Sequence, residues 1–168
     1  MSQSFQYRFE SPDFSDLGVT VDALRGDIDK ALQAFLTRER QLLASIDDEL
    51  LPVADSLSRY LIDGGKRFRP LFAAAGLIGS GGVLDQASIN AIATLELVHA
   101  CALIHDDVMD ASDTRRGKPS IHKKFEQMHS SNKWLGESKQ FGIGGAILLG
   151  DLVLSWADEL LMTSGIDP

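Results

Sequence analysis

Residues 86–117 read QASINAIATLELVHACALIHDDVMDASDTRRG. The first two dozen positions are rich in alanine and leucine. They predict a helix from Gln86 to about Ala111, buried on several sides and capped by Asp85. The stretch then changes character. Asp106, Asp107, Asp110 and Asp113 place four carboxylates within eight positions, and Arg115 and Arg116 follow. Asp106 and Asp110 are four apart, so a helix puts them on one face with Cβ atoms about 5–6 Å apart. Acids at a helix C-terminus oppose the macrodipole at a cost of roughly 0.3 kcal/mol or more. A purely structural run is therefore a poor explanation, and a bound cation a better one. Mg²⁺ is held by one or two carboxylates together with substrate phosphates. Arginines grip phosphate oxygens in planar, charge-assisted geometry. Carboxylates, metal and arginines together describe a diphosphate clamp. His99 lies seven positions before Asp106, two turns up the same face. A lone histidine on an apolar helix is usually a core residue, and its alignment with the clamp moves it toward function.

Upstream, Val21, Leu24, Ile28, Ala31, Phe35, Leu42, Ile46 and Leu50 form a helical stripe, with Thr20 as its N-cap. Residues 1–19 are polar and read as a flexible arm. Pro52 marks a break or a first helical turn. A second helix follows from about Val53 to Ile62, ended by Asp63-Gly64-Gly65. A third runs from near Pro70 to Ile78, and Gly79-Ser80-Gly81-Gly82 is a loop. Downstream, residues 117–120 read as a turn and Ile121 to Met128 as a short helix. The polar residues 129–142, with Trp134, read as a mobile loop, and a last helix spans about Ile143 to Met162. No sustained alternation marks a strand. The fold expected is all-α, with antiparallel helices around a central groove.

At 168 residues the chain fits one domain with a real core, and 44% apolar content excludes a disordered chain. The net charge of -8 argues against a nucleic-acid binder and favours small anionic substrates held at a few points. One cysteine, Cys101, allows no internal disulfide, so a reducing cytoplasm is expected. No apolar run approaches the roughly 18 residues of a membrane span, and the start does not read as a signal peptide.

A second charged cluster, Gly64-Gly65-Lys66-Arg67-Phe68-Arg69-Pro70, sets three cations at a glycine-rich helix junction. Glycines let backbone approach an anion, and the following helix offers free N–H groups. Lys66 and Arg69 are three apart and can converge on one diphosphate. A solvated basic turn is the competing reading. Gly150-Asp151 places an acid inside the last apolar helix, where it needs a partner. It either supports the arginines or metal from behind or forms a structural salt bridge. His105 is expected to bond a neighbouring backbone group. His122 and His129 carry no usable signal. Trp134, Trp156, Met109 and Met162 read as packing residues.

In order and spacing, the segments at 64–70, 106–110, 115–117 and 150–151 resemble those of trans-isoprenyl diphosphate synthases, the polyprenyl synthetase family. This family contains the farnesyl, geranylgeranyl and longer-chain synthases. Residues 98–120 and 129–161 resemble in particular the short-chain enzymes of actinobacteria. The resemblance implies an all-helical prenyltransferase, usually a homodimer, that adds isopentenyl diphosphate to an allylic diphosphate. In such enzymes the allylic diphosphate departs first, the isopentenyl double bond attacks the resulting cation, and a proton is lost. Carried over residue by residue, Asp106 and Asp110 ligate Mg²⁺ with Asp107 supporting. Arg115 holds the allylic diphosphate, and Lys66, Arg69, His99 and Arg116 hold isopentenyl diphosphate. Cys101 and Ala102 stand where bulky groups floor the elongation pocket. Both are small, which leaves room for geranylgeranyl or longer products.

One departure is large. The family carries a second aspartate-rich motif and a lysine-threonine pair in its C-terminal half, and nothing after Asp151 supplies them. About half of a typical member is present, so the chain is expected to be inactive alone. A noncatalytic or split subunit is the main rival reading. A terpene cyclase is disfavoured by the basic cluster, since a cyclase holds no second diphosphate. A metal-storage or phosphate-sensing bundle is remote.

Overall fold

The computed structural model describes residues 17–63 and 65–166, which form six α-helices and one short hairpin. They gather into two compact units. One comprises the residues up to Glu96 together with those from Ala157; the other is Leu97–Trp156. The fourth and sixth helices, α4 (Gln86–Met109) and α6 (Ser138–Met162), contribute to both.

In the first unit, α1 (Leu17–Ile46) packs on α2 (Leu51–Ile62) and α3 (Phe68–Gly79). Leu24, Ile28, Ala31 and Phe35 of the expected stripe are buried, joined by Leu32 and Leu36. Leu42 and Ile46 of the same stripe are exposed. The helix starts before Thr20, which is therefore interior and not a cap. Leu17, Gly18 and Val19 are helical too, so the expected arm is shorter; residues 1–16 lie outside the described residues. Leu50 is not part of α1. Asp47 accepts a hydrogen bond from the backbone N–H of Glu49 at 2.8 Å and opens a 3₁₀ turn, Asp48–Leu50. Pro52 then sits in the first turn of α2, and Pro70 in that of α3, where a missing N–H costs nothing. Asp85 caps α4 by accepting from Ser88 N–H at 2.8 Å. That bond holds its carboxyl below the ordinary value.

In the second unit, Leu97, Ala100 and Ile104 of α4, Ile121 and Phe125 of α5 (Ile121–Ser131), and Ala146, Leu149, Val153 and Trp156 of α6 are buried. A hairpin not expected from the sequence links α4 to α5. Strand β1 (Thr114–Arg115) pairs antiparallel with β2 (Lys118–Pro119). Arg116 (φ 51°) and Gly117 (φ 73°) form its two-residue turn, so the turn lies at 116–117 and not at 117–120. Both central residues are left-handed, which matches the twist of a tight hairpin. With only two residues per strand, no alternation could announce it.

The expected mobile loop at 129–142 shrinks to residues 132–137, because α5 runs on to Ser131 and α6 begins at Ser138. The cause is an aromatic cluster. The His129 ring meets Trp134 edge-on at 5.9 Å and Phe141 at 5.1 Å, and its Nε2 lies 3.2 Å from the Leu135 carbonyl. His122 is also buried, its Nδ1 3.2 Å from Ser120 Oγ. Of the expected packing residues, Trp156 is buried. Met109 and Met162 are 80% and 84% exposed, and Trp134 is partly so.

Helices α4 and α6 are long and apolar enough, by length and composition, to cross a membrane, with mean hydropathy 1.6 and 1.4 over their best 18-residue windows. Counting uninterrupted apolar runs overlooks such windows, since a window tolerates one or two charges. Their sides are partly buried here, and α4 carries buried Glu96 and Asp107, as core helices do.

Candidate functional site

Helix α4 ends within the acidic run. Asp110 N–H donates to the Asp106 carbonyl at 2.8 Å, and Ala111 takes a left-handed φ of 51° that stops the helix. Asp106 and Asp110 are both exposed. Asp107 is 1% exposed and faces inward. Arg115 donates to it from Nε to both carboxylate oxygens (3.0 and 2.9 Å) and from Nη2 to Oδ1 (2.8 Å). The hairpin thus carries Arg115 back against the helix, while Arg116 at its tip is exposed. Asp113 is exposed, with Oδ1 3.6 Å from His122 Nε2. His99 is half-buried two turns before Asp106.

This geometry bears on the expected magnesium. Among the described residues, no three or more His, Cys, Asp or Glu side chains converge into a metal cage. Two exposed carboxylates one helical turn apart fit a hard cation that completes its shell with phosphate and water. The Asp107 carboxylate, buried beneath them, is hydrogen-bonded to Arg115.

Below the acidic turn, His105 joins α4 to α6. Its Nε2 lies 3.1 Å from the Ile147 carbonyl and 3.6 Å from Asp151 Oδ1. The expected backbone partner exists, but it comes from another helix. Gly150 explains itself here: a Cβ would overlap the His105 ring. Asp151 is exposed and needs no buried partner, since α6 turns it outward. Of the two small residues before the acids, Cys101 is buried with Sγ 3.8 Å from His105 Nδ1. Burial, with Asp151 nearby, pushes its thiol up from the ordinary value. Ala102 is exposed one turn before Asp106, on the same face.

The basic junction belongs to the first unit. Its middle cation, Arg67, is 3% exposed and sits at a left-handed φ of 54° before α3. It donates from Nε to Asp29 at 2.7 Å and from Nη1 to Glu96 at 2.8 Å. Gly65 makes room for that side chain: a Cβ would stand 2.8 Å from the guanidinium carbon. Gly64 lies outside the described residues. Lys66 and Arg69 are exposed, with the Lys66 ammonium 5.8 Å from the centre of the Phe68 ring. Sequence reading missed the fixed roles of Arg67 and His105. The signal it had was a glycine close to each, Gly65 in the chain and Gly150 across the helices.

Comparisons with known proteins give the family and the fold. The polyprenyl synthetase family model matches residues 52–166. A geranylgeranyl diphosphate synthase from Methanosarcina mazei is 43% identical over 122 residues, which cover 68% of this chain and 32% of the relative. A nonaprenyl diphosphate synthase from Mycobacterium tuberculosis is 35% identical over 89% of this chain and 38% of its own length. The crystal structure of geranylgeranyl pyrophosphate synthase from Corynebacterium glutamicum, complexed with isoprenyl diphosphate and magnesium, superposes with a TM-score of 0.78 at 36% identity. It covers 88% of this chain and 43% of that one. The chain spans about a third of the length of the first two relatives. The family match, the helical fold it shares with that structure, and the ordered motifs place this chain in the polyprenyl synthetase family.

Proposed function

We propose that the chain supplies the first-motif part of a Mg²⁺-dependent prenyltransferase site, joining isopentenyl diphosphate to an allylic diphosphate. The observation that carries this reading is the exposed pair of Asp106, in the last turn of α4, and Asp110, just past its end, followed by a hairpin bearing Arg115 and Arg116. When bound, Mg²⁺ neutralises charge that builds on a departing diphosphate. Asp106 and Asp110 would hold it. Arg115 would orient the allylic diphosphate with fixed donors, the kind of preorganised stabilisation that needs no rearrangement during reaction. Lys66, Arg69, His99 and Arg116 take isopentenyl diphosphate in the same reading; the exposure of both Lys66 and Arg69 supports it. The family resemblance gives a geranylgeranyl or farnesyl class product, and the small residues at 101 and 102 leave room for the geranylgeranyl length or longer. The better wall residue is Ala102, because Cys101 is turned into the core. A reducing cytoplasm and a homodimer complete the reading.

Calorimetry of the 168-residue chain with Mg²⁺ and an unreactive allylic diphosphate analogue tests it. Binding is expected, and Asp106→Asn with Asp110→Asn should weaken it at least 10-fold. No binding by the parent chain would sink the reading. A second reading, a split or noncatalytic subunit that needs a C-terminal half from another chain, is favoured by the exposed Ile147, Leu148 and Leu154 on α6. In it the chain alone turns over radiolabelled isopentenyl diphosphate poorly, and size exclusion shows a stable complex with a full-length relative.

A further inference from the structure

The hairpin that bears Arg115 and Arg116 is too small to hold its own shape. Each strand has two residues, and an isolated two-stranded hairpin is at best marginally stable in water. Its turn adds a cost, because Arg116 sits at φ 51°, a left-handed conformation that a non-glycine residue keeps only where its surroundings impose it. What closes the open end is a buried cluster outside the strands. Asp113 precedes β1 and Ser120 follows β2. The Asp113 carbonyl accepts from Ser120 N–H at 3.0 Å and from Ser120 Oγ–H at 3.1 Å. Ser120 is the N-cap residue of α5, yet its hydroxyl makes no cap bond to that helix. The usual gain of a serine cap is given up for the bond across the hairpin. His122, in the first turn of α5, meets the same hydroxyl oxygen with Nδ1 at 3.2 Å, and its Nε2 lies 3.6 Å from Asp113 Oδ1. Gly142 of α6 lets that helix press on the His122 carbonyl, where a Cβ would overlap it. Ser120 and His122 are both buried, so their partners are each other and Asp113 rather than bulk water.

These bonds fix a proton. Ser120 Oγ spends its only hydrogen on the Asp113 carbonyl, so it can offer His122 nothing but a lone pair. Nδ1 must then be the donor, since two lone pairs facing each other in a buried site would leave both unsatisfied. We propose that His122 is a positioning residue for the paired arginines: its Nδ1–H holds the Ser120 hydroxyl on Asp113, which shuts the base of the hairpin and sets where Arg115 and Arg116 meet a diphosphate. His122 touches no ligand itself. This deepens the reading of the site given above and rests on it. An arginine pair carried on a shut hairpin has less conformational freedom left to lose when a diphosphate binds.

The test uses the full 168-residue chain, with Mg²⁺ and inorganic pyrophosphate as probes. Nitrogen-15 spectra of the His122 ring should show a proton on Nδ1 in the neutral ring as well as the charged one. Two substitutions separate the ring nitrogens, because an asparagine amide nitrogen stands where Nδ1 does and a glutamine one where Nε2 does. By calorimetry at saturating Mg²⁺, His122→Asn should bind pyrophosphate within about threefold of the parent, and His122→Gln about 10-fold more weakly, the loss of roughly one hydrogen bond. Ser120→Ala should match His122→Gln, and adding it to His122→Gln should cost nothing more, because members of one network are not additive. A histidine that merely filled space would give the reverse order, with the smaller asparagine the worse. A neutral ring protonated on Nε2 overturns the assignment even where a variant fails to fold. Asn and Gln variants that bind alike or in the reverse order, or a folded Ser120→Ala that binds as the parent does, overturn it alone and leave the reading of the site standing. A parent chain that binds no pyrophosphate while His122 keeps its Nδ1 proton sinks that reading, and this assignment with it.

Discussion

The basic junction at 65–70 and the acidic turn at 106–116 treat their charges alike. In each, one charge of the motif is driven inward and neutralised, and flanking charges stay in water. Arg67 is the buried member of the first, with Lys66 and Arg69 exposed beside it. Asp107 is the buried member of the second, with Asp106 and Asp110 exposed. They differ in the reach of the inward charge. Arg67 bonds Asp29 and Glu96, which are 38 and 29 residues away on α1 and α4. Asp107 bonds Arg115, only eight residues on. The inward cation ties helices together, and the inward acid ties down a local hairpin. Charge density in a motif therefore does not mean that every charge meets ligand.

Arg67→Ala is the largest break in this comparison. It leaves Glu96 buried without its cation and should cost about 3–5 kcal/mol, seen as a lower urea midpoint at unchanged slope. Gly65→Ala comes next. Its Cβ would press on a guanidinium that two ion pairs hold still, so a loss of about 1–3 kcal/mol is expected by the same measurement. If Gly65→Ala costs nothing, Arg67 is not fixed as described. Asp85→Ala, at the start of the helix that carries Glu96 and Asp107, should lose about 1 kcal/mol of melting stability at pH 7. The Asp85 carboxyl is held below 3.8 by the Ser88 N–H. Its contribution is therefore present above the ordinary carboxylate range and lost as pH falls through the lowered value. Parent and variant should converge in strong acid, and a constant gap would refute the ionised cap. The smallest effect sharpens the contrast by its sign. Asp106→Asn and Asp110→Asn should together raise stability by about 0.3–1 kcal/mol, because acids at a helix C-terminus oppose its dipole. A loss of stability would mean that these acids are structural after all.

The charges of the site are legible in the sequence, and so is the helix that presents Asp106 and Asp110 together, because four-residue spacing is a local property. Which charge turns inward is not legible. Arg67 looks like its neighbours until Asp29 and Glu96 arrive from distant segments. In the fold, α2, α3 and α4 announce themselves through Pro52, Pro70 and Asp85, whose chemistry acts within one turn. The end of α1 is hidden. Leu42, Ile46 and Leu50 keep helical spacing across the point where Asp47 starts a new turn, so periodicity reads straight through the break. The start of α6 is hidden for another reason. Its first turn is polar, and what holds it there is the Phe141 ring packed at a tilt on His129, a contact between two helices.

The turn at Arg116 and Gly117 makes twins unequal. Arg115 and Arg116 are adjacent and chemically identical, yet the reversal of direction leaves one clasped to the helix and the other at the outermost point of the loop. A lysine in the first place would forfeit the planar clasp, whereas in the second it would keep the charge. The shortness of this bend is what assigns each of two like neighbours its own task.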